Sequence, residues 1–211
     1  MPIRRRTGEE IFNTLTHLAG VVFTLTMAWI ILRLGYRASW RYAFGVTFFT
    51  CGMLIMYACS TFYHWWLPGR GKRALRVLDH VSIYVMIAAS YTPICIGVVG
   101  GAVGWTVFGL LWACVAGGTF YKATAIDRYP RLSLLLYLIM GWSVVFIARP
   151  VFERLTLLPL ACMLAEGLFY TGGTYFFAHD DRRWYHGVWH ICVLLGSISH
   201  WLAILFILTR G

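Results

Sequence analysis

The charges in this chain fall in short clusters, and the seven stretches between them are each long and apolar enough to cross a bilayer: about 12 to 34, 42 to 66, 76 to 97, 103 to 121, 131 to 148, 157 to 178 and 186 to 209. About 20 such residues in a helix span the ~30 Å hydrocarbon core. With no water at that depth, every backbone N–H and C=O must be paired internally, which only helices and closed barrels achieve. Runs of this length predict helices. The expected fold is all-α, an integral membrane bundle of seven transmembrane helices forming one domain over residues 1–211. With 60% hydrophobic and 12% charged residues, a soluble domain is excluded.

Short connections carry turn chemistry: Pro68-Gly69-Arg70-Gly71, the segment from Gly97 to Gly104, Tyr129-Pro130, and Pro159 near the start of the sixth run. Positive charge sets the orientation. With the amino terminus cytoplasmic, the inner segments hold Arg4, Arg5, Arg6, Arg70, Lys72, Arg73, Arg76, Lys122, Arg128, Arg131, Arg182 and Arg183, and the outer ones Arg33, Arg37, Arg41, Arg149, Arg154 and Arg210. Twelve against six places the amino terminus inside and, after seven spans, the carboxyl terminus outside. The expected location is the plasma (inner) membrane. The first run has no small-residue cleavage site and is expected to remain as the first span.

The net charge of +10 follows from this topology and forms no basic stripe, so no nucleic acid partner is expected. The six cysteines lie inside apolar runs without C-x-x-C spacing and read as small hydrophobes.

Polar groups inside the spans collect in one layer. Glu10, Asn13 and His17 share a face of the first helix, Ser60 and His64 sit one turn apart near the inner end of the second, and Asp79 opens the third. His186 and His190, also one turn apart, begin the seventh. From Val103 to Phe120 and Leu132 to Ala148 there is no Asp, Glu, Lys, Arg or His. A charged group at mid-membrane costs about 2.5 to 3.5 kcal/mol on insertion scales, so a collected set implies something that rewards it, such as a divalent cation.

Three imidazoles, His64, His186 and His190, plus one water make a tetrahedral Zn2+ site with an open position. Asp79 then suits the role of base toward that water, and the Ser60 hydroxyl that of orienting water or substrate. No Glu follows His186, so the chain lacks H-E-x-x-H and any base comes from another helix. Glu10, Asn13 and His17 are expected to support the ligands.

At these residues the chain resembles the hemolysin III family, bacterial relatives of the progestin and adipoQ receptors that include the adiponectin receptors, and the wider superfamily of membrane hydrolases containing alkaline ceramidases. The motifs Glu10-x-x-Asn13-x-x-x-His17, Ser60-x-x-x-His64, Asp79-His80 and His186-x-x-x-His190 occur in the family's order, and the resemblance covers nearly the whole chain. It implies zinc on His64, His186 and His190, with Asp79 holding the water and Ser60 beside it, in a seven-helix fold with a cytoplasmic amino terminus. Glu166, inside the sixth run where relatives are expected to carry glycine, departs from the pattern.

Blander readings stand beside these. His186 and His190 also fit an interfacial belt with Trp184, Tyr185 and Trp189, Asp79 fits pairing with Arg76 or the helix dipole, and Ser60 fits a bond to its own i−4 carbonyl. His80 is expected in a belt or loop contact, His179 solvated, His200 too deep for the same metal, and Glu166 protonated or paired to a helix. Two function classes remain: a zinc-dependent hydrolase acting on a lipid-derived amide or ester, and a receptor or regulator of membrane state with structural zinc, for which the family resemblance suggests a link to cytolysis. No inverted repeat suggests a transporter, and no lysine in the last span suggests a retinal protein. The sequence leaves the oligomeric state open.

Overall fold

The structure, a computed structural model, describes residues 8–69, 71–126, 128 and 130–209. Arg4, Arg5, Arg6, Arg70, Tyr129 and Arg210 lie outside the described residues, as does the side chain of Arg131. The chain forms α1 (Gly8–Ala38), α2 (Trp40–Trp65), α3 (Lys72–Thr92), α4 (Gly101–Ala125), α5 (Pro130–Gly141), α6 (Ala148–Arg154), α7 (Leu157–Ala178) and α8 (Tyr185–Thr209). α3 continues through a π-helical stretch, Pro93–Val99, and α5 joins α6 through a 3₁₀ stretch, Trp142–Ile147, so the eight helices make seven membrane-length rods. Six are long and apolar enough to cross a membrane. The seventh, α7, has 22 residues and spans about 33 Å at 1.5 Å per residue, with Glu166 lowering its hydropathy.

The rods close into a ring. α1 packs against α2 and α8, α3 against α2 and α4, α7 against α8, and α5 completes the circuit between α3, α4 and α7. α1 shows how a membrane bundle inverts the soluble pattern: Asn13, Thr14, His17, Gly20 and Thr24 are buried, while Leu15, Leu18, Val22, Leu25 and Trp29 are exposed toward lipid. Small residues permit this close approach, since a Cβ on Gly20 would stand 2.3 Å from the Tyr57 ring.

Irregular backbone is satisfied locally. Lys72 Nζ donates to the carbonyls of Tyr63 and Trp66, closing the end of α2. The Tyr91 hydroxyl accepts from the Val144 amide (2.8 Å) and donates to the Gly141 carbonyl, pairing two backbone groups freed where α5 gives way to the 3₁₀ turn.

The helices outrun the apolar stretches at several ends. The turn expected over Gly97 to Gly104 narrows to Gly100 and Gly101, whose φ values of 61° and 58° favour glycine. α4 continues to Ala125 and carries Lys122 inside the bundle, 1% exposed, where the sequence placed it in a loop. Its ammonium lies 3.3 Å from His80 Nδ1, so His80 makes an interhelical contact where a belt or loop contact was expected. A long apolar stem allows a lysine near a span's end to be buried this way.

Candidate metal centre

The ligand-capable atoms of His64, His186 and His190 all lie within 4.8 Å of one another, near the end of α2 and the start of α8. His64 and His190 are 4% and 2% exposed, so His190 does not belong to a water-facing belt, whereas the His186 side chain keeps 26% of its surface exposed. Each Nδ1 is turned toward an oxygen. His64 Nδ1 donates to Glu10 Oε2 at 2.8 Å, and His190 Nδ1 to the Asn13 carbonyl and Thr16 Oγ1, both at 3.2 Å. Because the Thr16 hydroxyl gives its own proton to the Phe12 and Asn13 carbonyls, its oxygen can only accept from His190. His186 Nδ1 lies at the longer distance of 3.9 Å from Asp180 Oδ2. Asp180 sits outside the spans, where partial burial and then the adjacent Asp181 push its carboxyl above the usual value.

With Nδ1 protonated and held, Nε2 carries the free lone pair. The Nε2 atoms of His64 and His186 are buried with no hydrogen-bond partner among the described residues. Orphaned buried acceptors are costly, and converging imidazoles held by oxygens on their far nitrogens are the arrangement of metal ligands. The residues fit a divalent cation.

The local sequence brings α1 and α8 together here. A Cβ on Gly187 would meet the Phe12 ring at 2.5 Å and Asn13 Oδ1 at 3.1 Å, so only glycine lets α8 come this close. Trp184, just before α8, adopts φ 67°, and its amide donates to Glu9 Oε1 at 3.2 Å. For a large side chain such backbone is strained.

The other expected site residues divide. Glu10 touches a ligand directly, Asn13 acts through its main-chain carbonyl, and His17, with no hydrogen bond among the described residues, stacks on His190 with ring centroids 3.6 Å apart. Asp79 lies beside Ser60 and within electrostatic reach of His64. The Ser60 hydroxyl makes no hydrogen bond to its own helix, unlike Thr61 and Thr92, which bond their i−4 carbonyls. Thr16 escaped sequence reading, although its spacing of three from Asn13 puts it on the same side of α1.

Glu166 and His200 form a separate pair, with Oε2 and Nδ1 2.7 Å apart, between α7 and α8. Helix pairing of Glu166 is thus what the structure shows.

A ring of seven membrane-spanning rods with a buried cluster of three imidazoles defines an integral membrane protein with a candidate metal centre. Residues 6–201 match the family described as Haemolysin-III related, and the chain belongs to that family of seven-helix membrane proteins. It is 32% identical over 200 residues to the Hemolysin-3 homolog of Bacillus subtilis (strain 168), covering 94% of this chain and 93% of that protein. It is also similar to Hemolysin-3 of Bacillus cereus, at 30% over 199 residues (94% and 91% covered). The Monocyte to macrophage differentiation factor of Homo sapiens is 28% identical over 213 residues (93% and 83%).

Proposed function

We propose that the protein is a zinc-dependent membrane hydrolase acting on a lipid-derived amide or ester in the cytoplasmic half of the plasma membrane. The observation that carries this is the convergence of His64, His186 and His190 with the buried Nε2 atoms of His64 and His186 unpaired. Zinc bound by three imidazoles would supply Lewis acidity toward a carbonyl and a water acidified to a pKa of about 7. Asp79 takes the proton from the attacking water and returns it to the leaving amine or alcohol. The Ser60 hydroxyl, not engaged by its own helix and lying beside Asp79, would orient water or substrate. Glu10, Asn13 and Thr16 hold two of the imidazoles in one tautomer and orientation.

A second reading is a non-catalytic regulator in which His64, His186 and His190 hold a structural metal. Asp79→Ala separates the two readings. With zinc and fold retained, loss of hydrolysis of a long-chain acyl amide or ester supports the enzyme. Unchanged biological output from that variant supports the regulator.

A further inference from the structure

An apolar groove of about 460 Å³ runs along the outside of the bundle between α4 and the α5–α6 rod, lined by Val103, Thr106, Leu110, Cys114, Ile139 and Phe146 among others. Through Ala102 and Val103 it continues into a hollow of about 400 Å³ walled by Arg41, Gly100, Gly101 and Arg154. From Ala102 to Cys114 the helix rises about 18 Å, a little over half the ~30 Å hydrocarbon core. The groove is one leaflet long, and its polar mouth lies at the ends of the helices. Arg41 and His64 stand at opposite ends of α2, so this mouth belongs to the interface opposite the histidines.

The mouth is cationic, and no carboxylate among the described residues pairs with it. Arg154 is fixed there by donating Nη1 to the carbonyls of Val98 (2.7 Å) and Val99 (2.5 Å). Arg41 rests over Trp40, 5.7 Å from the ring centroid, with its guanidinium against Gly100. Among the described residues neither arginine meets a carboxylate, while the neighbouring Glu153 is held by Arg149 at 2.8 Å. A slot one leaflet long and headed by two uncompensated guanidiniums matches a molecule with an anionic head and an apolar tail.

We propose that this slot binds an anionic phospholipid, its phosphate between Arg41 and Arg154 and one acyl chain along α4. The test uses the full chain purified in detergent, incubated with phosphatidylglycerol or phosphatidylcholine of matched chains, with bound lipid read by native mass spectrometry. Phosphatidylglycerol is expected to be retained about tenfold better, as one charge-assisted contact implies. Arg41→Gln is expected to remove that preference. Thr106→Trp, which fills the slot and leaves both arginines, is expected to reduce retention of the lipid while thermal stability in detergent stays unchanged. Excess inorganic phosphate is expected not to displace it. Equal retention of the two lipids overturns the proposal, as does a preference that survives both variants. Displacement by phosphate alone, or loss in Arg41→Gln with none in Thr106→Trp, would show an anion site without an acyl slot and also overturn it.

Discussion

Glu10 Oε2 accepts a hydrogen bond from His64 Nδ1 over 2.8 Å, tying α1 to α2 at the layer where α8 delivers its two histidines. That bond decides which ring nitrogen faces the cluster. A carboxylate on the far nitrogen also makes the imidazole a stronger ligand.

Removing the carboxylate should therefore weaken metal binding without abolishing it. Glu10→Ala is expected to lower metal affinity about 10- to 100-fold, with Glu10→Gln in between because its amide oxygen still accepts. Competition against a chelator measures this. Equal affinity in all three proteins contradicts the role.

Gly187 sets the distance between α1 and α8. Gly187→Ala places a Cβ 2.5 Å from the Phe12 ring, and such overpacking costs about 1–3 kcal/mol. Thermal unfolding in detergent is expected to show a lower midpoint, together with weaker metal binding as His190 loses the Asn13 carbonyl. A neutral variant would mean that α8 does not need this close approach.

Much of this architecture was legible in the sequence because membrane depth makes polar groups conspicuous. His64, Asp79 and the pair His186 and His190 stood out against apolar runs, and the seven spans followed from length alone. Partners acting through the backbone were not legible. Asn13 contributes a carbonyl that every residue type possesses, and its own side chain gives no sign of that. Lys122 was misplaced for a different reason: a charge near a span's end is expected at the interface, and burial emerges only when α3 and α4 bring His80 beside it.

Lys122→Met tests that buried contact. The substitution keeps the apolar stem and removes the ammonium, leaving His80 Nδ1 without this partner, at a cost of about 1–3 kcal/mol. Stability is expected to fall while metal content stays at the wild-type level. Loss of metal would instead place Lys122 in the centre.

Glu166 and His200 offer a cleaner energetic measurement, since they pair 2.7 Å apart and stand away from the cluster. A double-mutant cycle with Glu166→Gln and His200→Phe is expected to give a coupling of about 0.5–3 kcal/mol. Additive effects would show that the two side chains merely share a location.

The central claim is that His64, His186 and His190 hold one metal ion. Elemental analysis of protein purified without chelators is expected to find about one zinc per chain in the wild type. Almost none is expected in a correctly folded variant with all three histidines replaced. A zinc-free wild type, or equal zinc in the triple variant, would contradict it.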